Sequence, residues 1–328
     1  MVPTDSFKII STLGNSSLHR EFLKYCEKIS QLNFRLNGSH LSAFEIQNYT
    51  ETIQQVVPAA KTEIYLDLQG NKFRIGHLRK ELTLVTGDLI RLTLSERASS
   101  KDIPITDPDL IQNVARGESI LLQDAAIQLQ VESTESDGIL ARIIRGGQLR
   151  SKAGIHFPTK EAFSQKATPM QLAQIQQAYS SGIQNLALSY VKHPAELQNL
   201  KNICQHFGYH PRLIAKIEHP ISLQNLAELA AQADEIWFCR GDLGMFIPLK
   251  DLSHWQSVTI HTAKEAGKPI LIAGEVFHHL TQHPQPTRSE VVHFSMIIEQ
   301  GIDGIVLSDE TAIGVNPIRA LSEIIDLM

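Results

Sequence analysis

The chain has 328 residues, of which 42% are hydrophobic and 20% charged, and its formal net charge is −5. This length suits one large domain, or a large domain with a smaller one. Without a basic excess to neutralise phosphates, a nucleic-acid-binding protein is not expected. No apolar run approaches the roughly 20 residues of a membrane span, and the first ten residues lack the apolar core of a signal peptide.

The cysteines indicate the cellular compartment, and the spacing of the histidines bears on metal binding. Cys26, Cys204 and Cys239 are odd in number and widely spaced, as reduced thiols in a cytoplasmic protein are. The 14 histidines include no H-E-x-x-H pattern or similar spacing, so we expect them to be surface or structural residues.

The chain opens with an alternation of strands and helices. Apolar runs at 7–13, 33–36 and 62–67 predict strands, and the spacing over 17–29 and 42–57 predicts helices. Ser16 or Ser17 is a candidate N-cap for the first helix. Ser42 with Glu45 three residues on is the pattern of a capping box for the second.

From about residue 75 to 157 the pattern changes to short β-prone pieces separated by pairs such as Gly146-Gly147. The pieces lie at 82–85, 89–94, 120–122, 127–131 and 140–144. They predict a small β-domain at 75–157, inserted into a larger domain formed by 1–74 and 158–328.

Helices and strands alternate again after residue 158. Helices are predicted at 169–180, 194–207, 223–231, 252–266, 288–300 and 317–327, and strands at 185–191, 213–218, 236–239, 269–273 and 304–307. With the first three strands this makes eight strand–helix units, which predict an α/β fold of the (β/α)8 TIM barrel type with its active site at the carboxyl ends of the strands. An open doubly wound sheet is the alternative, although no Gly-x-Gly-x-x-Gly turn supports it.

Three charged residues follow two neighbouring strands of this barrel. Lys216 and Glu218 are two residues apart and share one face of their strand, while Asp242 follows the next strand in a Gly-Asp-Leu-Gly turn. The crossover helix makes the two strands parallel, so the carboxylates are expected to meet. Two carboxylates with room for ligand oxygens suit Mg²⁺. Alternatively, these are ordinary solvated or paired charges.

Further polar side chains are predicted at the same mouth. They come from strand two (Arg35, Asn37, Ser39), strand three and the residues after it (Asp67, Lys72, Arg74), strand four (Ser189, Lys192) and strand eight (Ser308, Asp309, Glu310, Thr311). No Ser-His-Asp or Cys-His pairing is present. Cations beside a carboxylate pair favour phosphoryl or enolate chemistry.

Eight motifs in this order resemble those of the pyruvate kinase family, over nearly the whole chain. They are KIISTLG (8–14), RLNGSH (35–40), LDLQG (66–70), GGQLRSK (146–152), AKIE (215–218), RGDLG (240–244), PTRSE (286–290) and LSDET (307–311). The resemblance implies a barrel with a mobile β-lid after strand three. It also implies that the family's C-terminal effector-binding domain is missing. Family members usually assemble through barrel and C-terminal-domain surfaces, so a homo-oligomer is one expectation and the oligomeric state stays open.

The resemblance further implies roles for the residues of the mouth. Lys216 stabilises the phosphoryl group in flight, and Glu218 and Asp242 hold Mg²⁺ or Mn²⁺ against phosphoenolpyruvate. The Gly241 and Asp242 N–H groups bind the substrate carboxylate, beside Gly274. Other matched positions are those that contact phosphate and nucleotide (Arg35, Asn37, Arg74, Lys152) and those that bind potassium or replace it (Asn37, Ser39, Asp67, Lys72).

The chain departs from the family pattern at several positions. Gly274-Glu275-Val276 stands where the family has Thr-Gln-Met, and losing a hydrogen-bond donor in an active site costs about 10²–10³ in rate. Asp309 replaces a glycine, and Leu68-Gln69 replaces a Thr-Lys pair. Lys72 stands where potassium-dependent members have Glu. Since an ammonium can replace a monovalent cation, we expect any activity to need no potassium.

The leading hypothesis is therefore a cytoplasmic pyruvate kinase-like enzyme that transfers a phosphoryl group from phosphoenolpyruvate to ADP, giving pyruvate and ATP. One alternative is Mg²⁺-dependent enolate chemistry on a 2-oxo acid, by proton exchange or aldol-type cleavage. The other is a regulatory protein that binds phosphoenolpyruvate or nucleotide without turnover.

Overall fold

Eight parallel strands close into a barrel in the first of two units into which the chain divides. The computed structural model describes residues 7–70, 73–95, 102–105, 109–112, 114–123, 125–158 and 167–328. The first unit comprises Met1–Gly70 with Gln165–Met328, and the second comprises Asn71–Ser164. The domain limits proposed from the sequence, 75 and 157, lie inside this second unit.

The first part of the barrel precedes the second unit. Its elements are β1 (Lys8–Thr12), α1 (Arg20–Cys26), β2 (Leu32–Asn37), α2 (Ala43–Gln54) and β3 (Ile64–Leu68). The predicted capping box of α2 is present, since the Glu45 N–H donates to Ser42 Oγ at 3.3 Å and the Ser42 N–H donates to Glu45 Oε2 at 2.8 Å. The first helix begins later than predicted: its N-cap is His19, whose Nδ1 accepts the Phe22 N–H, and not Ser16 or Ser17.

The second unit is mainly antiparallel and has its own apolar core. Its elements are β4 (Leu82–Leu84), β5 (Leu89–Leu94), β6 (Ile103–Ile105), α3 (Asp109–Gln112), β7 (Ser119–Leu122), β8 (Ile127–Glu135), β9 (Gly138–Arg145), β10 (Gly147–Leu149) and β11 (Ile155–His156). Six strands form one sheet in the order β11-β7-β8-β9-β5-β6, and β10 pairs with β4. The sequence did not predict β6, β10 or β11, because two or three residues are too short to show a period.

The remaining barrel elements follow residue 167. They are α4 (Pro169–Ser180), β12 (Asn185–Leu188), α5 (Pro194–His206), β13 (Arg212–Ile217), α6 (Pro220–Gln224), α7 (Leu226–Gln232), β14 (Glu235–Cys239), α8 (Arg240–Leu243), α9 (Leu252–Glu265), β15 (Ile270–Ala273), α10 (Arg288–Glu299), β16 (Gly304–Leu307), α11 (Asp309–Ala312) and α12 (Pro317–Asp326), with short 3-10 turns at Leu249–Asp251 and His278–Thr281. None of the helices that the structure describes is long and apolar enough to cross a membrane.

Two local predictions in this part were wrong. The single helix expected over 223–231 is the pair α6 and α7, which meet at Asn225. The Asn225 side chain donates a hydrogen bond to the Lys192 carbonyl at 2.8 Å. This tertiary hydrogen bond stabilises the interruption between the two helices. The turn expected at Gly241-Asp242 is the short helix α8.

The strand order β1-β16-β15-β14-β13-β12-β3-β2 closes the sheet, with every neighbouring pair parallel. This confirms the (β/α)8 barrel. Inward-pointing side chains fill its interior, as such barrels require: Ile10, Tyr65, Ala187, Ile214, Trp237, Leu271 and Val306. A larger apolar layer packs the strands against the outer helices.

A buried carboxylate lies at the amino ends of these strands. Glu235 is fully buried and accepts hydrogen bonds from Lys8 Nζ at 2.8 Å, Trp237 Nε1 at 2.8 Å and Arg212 at 3.3 Å. Its charge is therefore paired at this end of the barrel. Asp67, Lys216 and Glu218 lie at the opposite, carboxyl ends of the strands.

Candidate active site

Lys216, in β13, lies at the centre of a buried polar network at the carboxyl ends of the strands. Its ammonium donates to Asp67 Oδ2 at 2.9 Å and to Ser189 Oγ at 2.8 Å, and it forms an ion pair with Glu218 Oε1 at 2.8 Å. Lys216 and Glu218 share one side of the chain, as their spacing predicted. These contacts with three different strand ends hold the ammonium in one place.

The other cation of the network, Arg35, comes from β2 and pairs with the same aspartate. Arg35 Nε donates to Asp67 Oδ2 at 2.7 Å, and its NH1 donates to Thr12 Oγ1 at 2.9 Å. Ser189 Oγ donates to Asp67 Oδ1 at 2.8 Å. Asp67, which is 1% exposed, therefore lies between two cations.

The charges of this network stabilise each other against burial. Burial by itself raises the pKa of Asp67, but the Lys216 and Arg35 charges outweigh it and hold that pKa below its ordinary value. Burial by itself lowers the pKa of Lys216, yet the Asp67 and Glu218 carboxylates raise it above its ordinary value. Asp67 and Lys216 are therefore both charged at neutral pH.

Glu218 and Asp242, the predicted metal ligands, are joined through Tyr190. The Tyr190 backbone N–H donates to Glu218 Oε2 at 2.7 Å, and the Tyr190 hydroxyl donates to Asp242 Oδ1. Burial raises the pKa of Glu218, Lys216 opposes the rise, and the negative charge of Asp242 adds to it, so that the pKa of Glu218 lies above its ordinary value. One tyrosine therefore connects the two carboxylates.

This donor set fits a divalent cation that shares its ligands with a substrate. Mg²⁺ is commonly bound through one or two carboxylates and completes its shell with water and substrate oxygens. Lys216 and Tyr190 occupy two of the roughly four acceptor positions of Glu218, which leaves room for a cation. Within the described ranges no cluster of three or more His, Cys, Asp or Glu side chains suits a metal ion.

Gly274, just after β15, holds the side chain of Arg240. Its carbonyl accepts hydrogen bonds from Arg240 Nε at 2.9 Å and NH2 at 2.7 Å. Gly274 has φ +82°, and a Cβ added there would lie 3.0 Å from the Gly241 nitrogen. The glycine that replaces the family threonine therefore has a backbone conformation that a threonine would adopt only with strain.

Replacing Gly274 by Thr should destabilise the protein by about 2 kcal/mol, because the positive φ and the crowded Cβ both oppose a β-branched side chain. Guanidinium-induced unfolding measures this cost. The matched control is Gly208→Thr, at φ +68° with nothing within 4 Å of an added Cβ, which isolates the cost of the backbone angle. A Gly274→Thr protein as stable as the parent would contradict this interpretation of the loop.

Other predicted site residues make their described hydrogen bonds outside this network. Strand β2 ends at Asn37, and Ser39 lies in the following turn, where its N–H donates to Asn37 Oδ1 at 3.2 Å. Arg74 and Lys152 belong to the second unit, where Arg74 NH1 donates to the Lys152 carbonyl at 3.1 Å. Lys72 lies outside the described residues.

Sequence reasoning missed two residues of the site. The sequence predicts Tyr190 in a strand over 185–191, but β12 ends at Leu188 and Tyr190 has φ +54°. Thr12 lies in the first strand, as predicted, but the contact of its hydroxyl with Arg35 was not predicted. No spacing rule identifies either residue, because both act through contacts between distant strand ends.

Comparison with known proteins agrees with this fold. Residues 4–321 match the family model for the pyruvate kinase barrel domain. The chain is 31% identical over 324 residues to a pyruvate kinase of Thermococcus litoralis, covering 98% of this chain and 68% of that protein. It is 29% identical to pyruvate kinase 2 of a Synechocystis species and 29% identical to a pyruvate kinase of Thermotoga maritima, covering 96% of this chain in both cases and 55% and 69% of those proteins. On the family match and these identities, the chain belongs to the pyruvate kinase family.

Proposed function

We propose that this protein transfers a phosphoryl group from phosphoenolpyruvate to ADP, giving pyruvate and ATP, with Mg²⁺ or Mn²⁺ held by Glu218 and Asp242. The observation that carries the proposal is the buried Lys216 ammonium, which pairs with Glu218 at 2.8 Å, while Tyr190 hydrogen-bonds both Glu218 and Asp242. Three relatives that carry the name pyruvate kinase support the same reaction class.

Lys216 is suited to stabilise charge on a phosphoryl group in transfer. Catalysis of this reaction consists mainly of positioning and of electrostatic stabilisation of the moving group. The ammonium is held by Asp67, Ser189 and Glu218, so little reorganisation is needed when negative charge develops nearby. Arg35, held by Asp67, adds a second fixed cation for the phosphate.

Glu218 and Asp242 have the complementary role of binding the cation. A bound Mg²⁺ or Mn²⁺ supplies a Lewis acid for the enolate and phosphate oxygens of the substrate. The two carboxylates set its place, and the Gly241 and Asp242 N–H groups are proposed to bind the substrate carboxylate. Arg74, Lys152 and Asn37 are proposed to contact the nucleotide.

The deciding experiment is a pyruvate-release assay with phosphoenolpyruvate, ADP and either Mg²⁺ or Mn²⁺. We expect turnover by the parent protein and its loss in Glu218→Gln, which removes one ligand charge. Glu265→Gln is the control, since this glutamate lies on the barrel surface with its side chain 67% exposed. No turnover above the Glu218→Gln variant with any metal would end the proposal.

Potassium should not stimulate the reaction. Asn37, Ser39 and Asp67 match family potassium ligands, yet Lys72 brings an ammonium where potassium-dependent members have Glu, and Asp67 already pairs with Arg35 and Lys216. Initial rates in KCl should therefore equal those in NaCl or choline chloride of the same ionic strength. A several-fold stimulation by KCl would contradict this expectation.

A second candidate is enolate chemistry on a 2-oxo acid without a nucleotide. Gly274 and Glu275 favour it, because no side chain projects from position 274 towards the Gly241 N–H, and Glu275 places a carboxylate in the chain directly after it, where the family has Gln. Exchange of the pyruvate methyl protons in D₂O, followed by NMR without nucleotide, separates this activity from phosphoryl transfer. Binding of phosphoenolpyruvate in calorimetry with neither reaction would indicate a regulatory protein.

A further inference from the structure

Tyr190 makes a separate hydrogen bond to each carboxylate of the proposed cation site. Its backbone N–H donates to Glu218 Oε2 at 2.7 Å, and its phenol hydroxyl donates to Asp242 Oδ1. The residue is 5% exposed and follows β12, whereas Glu218 follows β13 and Asp242 lies in α8. Tyr190, at the end of the fourth barrel strand, therefore connects a carboxylate at the end of the fifth strand with one after the sixth strand.

The backbone at Tyr190 has an uncommon conformation that serves this contact. Its φ of +54° lies in the left-handed region, where a bulky side chain is disfavoured. The flanking residues hold it there: Ser189 Oγ bonds both Asp67 and Lys216, and the Val191 carbonyl accepts the Ser222 hydroxyl at 2.6 Å. Because hydrogen bonds hold both Ser189 and Val191, the Tyr190 N–H and hydroxyl point towards the two carboxylates.

The chemical type of the Tyr190 donors suits a cation site. A phenol hydroxyl and a backbone N–H are neutral donors, so they orient a carboxylate without neutralising the charge that attracts a metal ion. One hydrogen bond to Asp242 Oδ1 also leaves acceptor capacity on that carboxylate, which has about four lone-pair positions. Hydrogen-bonded partners of metal-binding carboxylates commonly fix the orientation of those ligands.

We propose that Tyr190 is a positioning residue for the divalent cation, presetting the Asp242 carboxylate through its hydroxyl and the Glu218 carboxylate through its N–H. The inference rests on the proposed function, because it assumes that these carboxylates bind the cation. Tyr190 then contributes to the cation affinity through the two carboxylates that it hydrogen-bonds. An aromatic ring without the hydroxyl would fill the same space and lose the bond to Asp242.

The test is a titration with Mn²⁺ alone, followed by electron paramagnetic resonance of the free ion. Tyr190→Phe keeps the ring and the backbone N–H and removes only the hydroxyl. Tyr209→Phe is the matched control: Tyr209 is 2% exposed and its hydroxyl donates to the Ile183 carbonyl at 2.5 Å, away from the carboxylate pair. We expect the Mn²⁺ dissociation constant to rise about 10-fold or more in Tyr190→Phe and to stay unchanged in Tyr209→Phe.

A purely structural role would give a different result. In that case Tyr190→Phe and Tyr209→Phe would lower the metal-free melting temperature alike and would bind Mn²⁺ with the parent affinity, which would overturn the inference. Tighter Mn²⁺ binding by Tyr190→Phe would also overturn it, since the hydroxyl would then compete with the cation for Asp242.

Mn²⁺ binding by Glu218→Gln shows whether a negative result comes from the proposed cation site or only from the role of Tyr190. If the parent does not bind Mn²⁺, or binds it as well as Glu218→Gln does, the cation site is wrong and the role of Tyr190 falls with it. If binding depends on Glu218 but not on the Tyr190 hydroxyl, only the positioning role is wrong.

Discussion

Replacing Lys216 by Met should reduce pyruvate formation by about 10²–10³-fold, the cost of removing one fixed group that stabilises charge in a transition state. Methionine retains most of the apolar volume of the side chain and removes the ammonium. The loss should appear in kcat, because in the proposed reaction the ammonium acts on charge that develops during transfer. Steady-state kinetics with phosphoenolpyruvate, ADP and Mg²⁺ measure it.

Two further variants separate catalysis from general damage. Lys216→Arg should fail to restore the rate, since a planar guanidinium cannot bond Asp67, Ser189 and Glu218 in the geometry of an ammonium. Lys201→Met, on the exposed face of α5, should leave kcat unchanged. Near-parent kcat in Lys216→Met would contradict the role assigned to the ammonium.

Replacing Asp67 by Asn should lower the free energy of unfolding by about 3–5 kcal/mol, the usual cost of removing one partner from a buried ion pair. The substitution conserves shape but leaves Arg35 and Lys216 buried without the carboxylate between them. Urea-induced unfolding at neutral pH measures the difference. The control is Asp326→Asn, an exposed position near the end of α12, where a change within about 0.5 kcal/mol is expected.

The pH dependence of the same difference tests its electrostatic origin. The pKa of Asp67 is lower in the folded protein than its ordinary value of about 3.9. Its ionised form therefore stabilises the fold fully above that ordinary value, and the contribution is lost as the pH falls through the folded-state pKa. The difference between parent and Asp67→Asn should be constant from about pH 8 to 5 and should shrink in acid. A difference that grows in acid would contradict this origin.

The sequence predicted the regular elements well where one period could be read over enough residues. The predicted helix at 169–180 and strand at 304–307 have the observed bounds of α4 and β16. The prediction failed where a tertiary bond decided the backbone, as at Asn225, which separates α6 from α7. It also failed for β6, β10 and β11 of the second unit, in which two or three residues are too short to show a period.

The sequence by itself determined the eight strand–helix units and the family, and it placed Lys216 and Glu218 on one side of one strand. These follow from local periodicity and from residues close together in the chain. Only the tertiary structure decided that Asp67 lies between Arg35 and Lys216, and that Tyr190 joins Glu218 to Asp242. Those contacts join residues 28 to 149 positions apart, so barrel closure, and not any pattern along the chain, brings the side chains within hydrogen-bonding distance.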